Sequence, residues 1–450
     1  MKRLLIICLA MALFACKEEP KIDYALFSGK IENPADKVVT IYKGREKVKE
    51  IPLSKDGSFA DTLRVEPGYY TLNHEGERST IYLKPEDDIK VTLNYKEFDE
   101  TLSYTGKGSE NSNYLATKFL ADEKSSFDYA KVFSMDEVDF LATMDEVKSS
   151  KSELLKAAKN ISSEFRALEE KNTEYEYLSY LQNYQPAHRY FTKNDEFKPS
   201  ENFMRSLDAI DYNNQEDYAL LDTYKELVQG YYSNKISNAD NPSEIFEMIN
   251  KKGFPDLKKD LANMLNYQIS PSNKHNDAYY KGIMAMSSDD KFKEELTTKY
   301  NKVKKLAKGM PSPKFVEYEN HKGGTTSLED LKGKYVYIDV WATWCGPCIR
   351  EIPSLKEVEK QFHGKNIAFV STSIDKAAAH NKWVEMVKDK ELGGVQLMAD
   401  KDWNSQFVQD YAIEGIPRFI LIDPNGNIIS ADAPRPSSPK LVALFEELKI

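Results

Sequence analysis

The 450-residue chain reads as a multidomain protein: an N-terminal antiparallel β-sandwich, a central α-helical region and a C-terminal α/β domain. Three changes of texture carry this reading. Short alternating runs separated by turn residues fill roughly residues 26–105. Apolar residues at helical spacing, with few turn residues between them, fill 109–305. Beyond Gly309-Met310-Pro311-Ser312-Pro313, β-rich and helical runs alternate. A chain this long exceeds one ordinary core.

In the first of these regions Val38-Val39-Thr40-Ile41-Tyr42 is β-rich, and Asp56-Gly57 is a turn signal before Ser58-Phe59-Ala60. Tyr69 to Leu72, Thr80 to Leu83 and Ile89 to Leu93 alternate apolar with polar residues. Several short strands at this spacing predict a small antiparallel sandwich over 25–108. In the second, Val138, Leu141, Met144 and Val147 recur every third residue, and Phe165, Leu168, Tyr175, Leu178 and Leu181 continue the pattern. Such spacings predict apolar stripes on helices over 109–305. Tyr175, Tyr177, Tyr180, Tyr184 and Tyr190 crowd one stretch. Aromatic residues at helical spacing are expected to pack inward rather than to form a docking face.

Pro311 and Pro313 forbid helix and mark a linker. From there strands are expected at Tyr335–Trp341, Ile367–Ser371, Val395–Met398 and Arg418–Asp423. Helices are expected at Cys345–Phe362, Ala377–Val387, Trp403–Tyr411 and Pro439–Leu448. Alternation of this kind over 306–450 predicts a parallel-cored sheet with helices on both faces.

The first residues read as an export signal. Lys2 and Arg3 precede an apolar run from Leu4 to Phe14, which suits a signal peptide over 1–15 and falls short of the roughly 20 residues that span a bilayer. Leu13-Phe14-Ala15-Cys16 resembles the lipobox of bacterial lipoproteins, with Phe14 in place of the usual small residue. That resemblance implies acylation of Cys16, a tether over 16–24 and a firm lipid anchor. It places the protein in the cell envelope, on an outer membrane and facing the periplasm or the cell surface. Lys17-Glu18-Glu19 reads either as a surface-export signal or as a plain charged tether. The net charge of −10 argues against a nucleic-acid partner.

The cysteine count then becomes informative. Cys8 leaves with the signal and Cys16 carries lipid, so Cys345 and Cys348 alone remain. An exported protein without structural disulfides keeps one close pair. Structural zinc needs four ligands, and the six scattered histidines do not pair with these two thiols, so no metal is expected. A redox role suits every residue of Trp344-Cys345-Gly346-Pro347-Cys348. The pair follows a strand and opens a helix, where free amides and the helix dipole favour a thiolate. Pro347 fits the first turn, and Gly346 leaves the sulfur approachable.

Asp339-Val340-Trp341-Ala342-Thr343-Trp344-Cys345-Gly346-Pro347-Cys348 resembles the active-site stretch of thioredoxin. More closely, residues 309–450, with the Ser327-Leu328-Glu329-Asp330-Leu331-Lys332-Gly333-Lys334 lead-in, resemble the TlpA-like thioredoxin-fold thiol:disulfide interchange lipoproteins. The front portion is similar, more loosely, to the sandwich and helical extension that precede such domains. The resemblance implies that Cys345 is the nucleophile, Cys348 the resolving thiol and Asp339 the buried proton acceptor. Pro353 matches the kink proline of the active-site helix. Gly415-Ile416-Pro417 matches the loop whose proline is cis, so Trp344, Gly346, Pro347, Ile416 and Pro417 would meet the substrate. Arg418 replaces the usual threonine and is expected at the surface, and Asp375 falls where related proteins carry a second acid. No Pro-x-x-x-Thr/Ser-x-x-Cys signature precedes Cys345, which excludes a peroxiredoxin.

The implied activity is reduction or exchange of disulfides in exported proteins, without a cofactor and with an upstream membrane thiol donor. Two alternatives remain open at this point. One is a disulfide oxidase or isomerase using the same site; the other is a surface-binding lipoprotein with an ancillary redox domain.

Overall fold

The computed structural model describes residues 22–125, 127–208 and 210–450. The signal peptide over 1–15, the acylation site at Cys16 and most of the 16–24 tether lie outside the described residues. The chain divides into two compact units, Met1–Tyr231 and Tyr232–Ile450. The division falls inside the helical region expected as one piece over 109–305. Its later helices pack with the C-terminal unit: Leu306 joins that unit's core, and Lys299 Nζ lies 2.7 Å from Glu414 Oε2.

Unit one opens with eight strands: β1 (Tyr24–Glu32), β2 (Val38–Lys43), β3 (Glu46–Pro52), β4 (Ser58–Arg64), β5 (Gly68–His74), β6 (Glu77–Leu83), β7 (Asp88–Asn94) and β8 (Ser103–Lys107). They form two four-stranded sheets, ordered β4-β1-β7-β8 and β3-β2-β5-β6. Phe27, Ile41, Leu72 and Val91, drawn from both sheets, are buried in one core. One pairing departs from the antiparallel expectation: β1 runs parallel to β7, with Leu26 beside Asp88 and Gly29 beside Val91. These strands are far apart in sequence, and the intervening strands supply the crossover that parallel pairing requires.

Helices Ser109–Lys124, Glu137–Ala157 and Ser163–Thr192 follow. The side chains of Asp136 and Ser162 accept the orphan amides of Asp139 and Phe165 and so begin two of them. Tyr184 is fully buried and Tyr175, Tyr177 and Tyr180 pack against the same core, as inward packing requires, whereas Tyr190 is exposed. The three-residue stripe proved too regular. Val138 is exposed while Phe140 and Met144 are buried, because a strict period of three drifts off the face of a 3.6-residue helix.

Unit two carries helices Pro242–Lys252, Pro255–Leu265, Asn276–Met286 and Asp290–Lys304, followed by a seven-stranded sheet. Its strands are β9 (Tyr318–Asn320), β10 (Thr325–Thr326), β11 (Tyr335–Trp341), β12 (Ile367–Ser373), β13 (Val395–Met398), β14 (Arg418–Ile422) and β15 (Ile428–Ser430). They are ordered β10-β9-β13-β12-β11-β14-β15, with β11, β12 and β13 parallel and the remaining pairs antiparallel. β11 is buried on both faces, which is why it reads as a nearly continuous apolar run. Val336, Ile338 and Val340 face one core with Trp383 and Phe407; Tyr337 faces another with Leu355, Val358 and Phe445.

The expected linker is no free tether. Gly309 N donates to Ile428 O at 2.7 Å, Ile428 N returns a bond to Met310 O at 2.8 Å, and Ser312 N donates to Gly426 O at 2.9 Å. Proline lacks only a donor, so the segment can still strap itself along the sheet edge through its neighbours. No helix among the described residues is long and apolar enough to cross a membrane.

Candidate active site

β11 delivers the chain to the site. After Trp341 it turns through Ala342, Thr343 and Trp344, and helix Gly346–Gln361 begins. Cys345 is the N-cap of that helix. Its Sγ accepts from the Cys348 amide at 3.2 Å, so the sulfur occupies the place of a capping oxygen. Pro347 lies in the first turn, where no amide is needed. Cys345 and Cys348 are joined as a disulfide, with Cα atoms 5.3 Å apart. The two are equally covered in this state, 4% and 3% exposed. Trp344, Gly346 and Pro347 are exposed around them.

Asp339 lies two residues before the end of β11, opposite Ser371 of β12 and Phe419 of β14. Strand alternation puts it on the same face as Tyr337 and Trp341. There it lines a small cavity with Ile352 and Leu355 of the active-site helix. Those residues stand one and two turns beyond Cys348 on the same helix face (i, i+4, i+7). Asp339 Oδ1 has no hydrogen-bond partner. Burial, and then the charges of Glu351 and Glu359, push its carboxyl up to about 8.

A second buried acid does a different job. Asp375 accepts from the Thr343 amide and the Thr343 hydroxyl, each at 2.8 Å, and from Ser373 Oγ at 2.7 Å. It thereby clamps the turn two residues before Cys345. Its carboxylate is fully used by donors, unlike that of Asp339.

The peptide bond between Ile416 and Pro417 is cis. Ile416 is half-buried against the core that contains both cysteines. Arg418 is not the surface arginine expected. Its side chain is 16% exposed, and its guanidinium pairs with Asp432 at 3.1 Å. It sits at the start of β14, between β11 and β15, where that pairing leaves it mostly covered. Pro353 lies within the active-site helix, which continues past it to Gln361.

The sequence-derived site therefore assembles: Cys345, Cys348, Trp344, Gly346, Pro347 and Asp339 lie on one strand–turn–helix unit, and Ile416 and Pro417 precede a strand paired to it. Sequence reasoning missed Glu351 and Glu359, which look like ordinary solvated helix charges. The one signal was spacing: Cys348, Ile352, Leu355 and Glu359 form a single stripe.

With this geometry in place, the Redoxin family model matches residues 307–443. That segment is a domain of the thioredoxin superfamily. The thiol-disulfide oxidoreductase ResA of Bacillus subtilis is 31% identical over 126 residues, which are 28% of this chain and 66% of that protein. A Bacteroides vulgatus protein proposed to be a thiol-disulfide oxidoreductase, solved in solution, is 52% identical over 32% of this chain and 92% of its own, with a TM-score of 0.28. The thioredoxin domain of the thiol-disulfide oxidoreductase BVU-2223 of the same organism is 29% identical over 32% of this chain and 98% of its own, with a TM-score of 0.29. The redoxin match and the similarity to ResA support a thioredoxin-like oxidoreductase.

Proposed function

We propose that the protein is a lipid-anchored thiol–disulfide oxidoreductase of the cell envelope that reduces or exchanges disulfides of exported proteins. The observation that carries this reading is the Cys345–Cys348 disulfide at a helix N-terminus, with an unpartnered buried carboxyl beneath the same helix.

In the reduced protein, the helix amides and dipole stabilise a thiolate on Cys345, the attacking species. That thiolate attacks one sulfur of a substrate disulfide. The substrate S–S bond breaks, its second sulfur leaves with the electron pair and takes a proton, and a mixed disulfide joins Cys345 to the substrate. Cys348 then gives its proton to Asp339 and attacks Cys345 Sγ. The Cys345–Cys348 bond forms, and the remaining substrate sulfur departs as a thiol after protonation. A carboxyl titrating near 8 can both take and return that proton close to neutral pH. Trp344, Gly346 and Pro347 offer the exposed contact surface. The Ile416 backbone, before Pro417, pairs with the extended substrate segment.

Each turnover leaves the protein oxidised, so a membrane dithiol donor restores it. The Gly346-Pro347 dipeptide favours the reducing direction. The lipobox-like Leu13-Phe14-Ala15-Cys16 supports acylation at Cys16 and residence on the outer membrane, facing the periplasm or the cell surface.

Trapping tests the reading. In cells, Cys348→Ser should accumulate exported proteins disulfide-linked to Cys345, and Cys345→Ser should accumulate none. Equal trapping by both variants would refute the roles. A reduction potential near about −120 mV, that of a strong oxidant, would instead reverse the direction.

A further inference from the structure

The cavity beneath the active-site helix holds more than Asp339. Three side-chain atoms of buried residues bordering it have no partner: Asp339 Oδ1, Trp341 Nε1 and Gln396 Oε1. These residues are 7%, 2% and 4% exposed. One is a donor and one an acceptor, and the third is a carboxyl oxygen. Gln396 Nε2 donates to Gly393 O at 2.7 Å, which fixes the amide so that Oε1 is the free atom. The cavity measures ≈ 10 Å³, close to the room of one water, and a buried water makes about three hydrogen bonds.

At its far end stands Glu359, the last member of the stripe Cys348, Ile352, Leu355 and Glu359. It is three helical turns from Cys348, roughly 16 Å along the axis. Its carboxylate lies in a slot kept open by two glycines. A Cβ on Gly393 would come within 2.3 Å of Glu359 Oε2, and one on Gly394 within 3.1 Å of Oε1. Glu359 is half-buried, with Lys356 and Lys322 as its charged neighbours. The charged side chains bordering the cavity are Asp339, Glu359 and Lys356; Glu351 acts on Asp339 from the same helix.

We propose that this cavity binds a single water, and that the water and Glu359 carry the proton of Asp339 to and from solvent, away from the cysteines. While Asp339 is ionised, the water accepts from Trp341 Nε1 and donates to Gln396 Oε1 and Asp339 Oδ1, which satisfies all three orphan atoms; once Asp339 is protonated, its carboxyl donates to the water and the freed water hydrogen turns toward Glu359. After resolution, Cys345 and Cys348 are joined and Asp339 holds the proton that left Cys348. Handing it on through Glu359 resets the carboxylate without opening the substrate side. Glu359 is thus a positioning and relay residue that acts through Asp339. Burial pushes the Glu359 carboxyl up, so it can hold a proton in transit. This inference rests on the reading of Asp339 as the acceptor of the Cys348 proton.

The test uses the full chain and the resolving step, followed by tryptophan fluorescence from pH 5 to 9 in H₂O and D₂O. Glu359→Gln and Gln396→Met should each slow that step about tenfold, less than the roughly hundredfold of a direct general acid or base because both act through Asp339, and change its solvent isotope effect. Glu359→Asp should recover part of the rate. Glu359→Gln should also lower the pH at which Asp339 titrates, read by difference infrared spectroscopy, because a like charge is lost. A purely structural role would lower thermal stability and leave the isotope effect and pH profile alone, and that result would overturn the proposal. If Asp339→Asn slows resolution but Glu359→Gln and Gln396→Met do not, the relay is wrong and the base assignment stands. If Asp339→Asn also changes nothing, the fault lies in the base assignment, and the relay falls with it.

Discussion

Each unit buries a carboxylate, and the two are treated in opposite ways. Glu169 of the first unit is 0% exposed, yet both of its oxygens accept hydrogen bonds. Tyr69 Oη donates to it at 2.6 Å, Asn172 Nδ2 at 2.9 Å and Lys118 Nζ at 2.9 Å. Thr223 Oγ1 in turn holds Asn172 at 2.6 Å. Asp339 of the second unit has an oxygen without a partner and two like charges nearby, and it titrates far above an ordinary aspartate. A buried acid that is fully bonded and paired keeps its charge and holds elements together. One left short of donors gives up its charge readily and can trade protons. Burial alone does not set how a carboxylate behaves; the donors around it matter as much.

The sharpest contrast is in activity. Cys345→Ser should abolish insulin disulfide reduction, whereas Glu169→Leu should leave reduction of a small disulfide reagent unchanged. A loss of that rate in Glu169→Leu would break the division between a reactive and a structural acid.

The next effect is in stability against pH. The folded carboxyl of Asp339 sits near 8, above its ordinary value of 3.8, so the native state holds that proton more tightly than the unfolded chain. The stability it contributes is full below about pH 4 and is lost as pH rises toward 8. Asp339→Asn should therefore match the parent near pH 4 and exceed it above pH 8, by at most on the order of 5 kcal/mol. Urea unfolding of the oxidised protein at pH 4 and pH 9 measures this, and an equal gap at both would contradict it.

Glu169→Leu leaves Lys118, Tyr69 and Asn172 without their shared acceptor and should cost the first unit about 3 kcal/mol near neutral pH. Calorimetry resolving the two units would show whether the loss is confined to the first. Tyr69→Phe removes one donor and keeps the ring packed against Tyr82 and Phe165. It should cost about 1–2 kcal/mol, the smallest effect of the set.

Much of the redox site could be read before any coordinates, because its chemistry is local. Cys345, Gly346, Pro347 and Cys348 are contiguous, and a strand leading into a helix N-terminus follows from Tyr335–Trp341 and the Pro347 position. Pro417 was legible through its Gly-Ile-Pro setting. Arg418 was misplaced at the surface, because its partner Asp432 lies across a turn that no local pattern reveals. The helical region was read as one piece because periodicity reports which face of a helix is apolar, not which core that face meets. The Pro311–Pro313 segment was read as a linker for the same reason: its hydrogen bonds go to residues 426 and 428, far along the chain.

The sequence by itself determined the nature of the chemistry: two thiols at capping distance, a helix to stabilise one of them, and an acid on the adjoining strand. These depend on spacings of a few residues, which strand and helix geometry convert directly into positions. Tertiary structure alone decided how each acid behaves. Asp375 becomes a clamp because Thr343 and Ser373 surround it with donors, Glu169 a structural hub because Tyr69 and Lys118 reach it from distant elements, and Asp339 the proposed proton carrier because no donor reaches its Oδ1. A carboxylate's charge is set by the groups that replace its water, and those arrive only when the chain has folded.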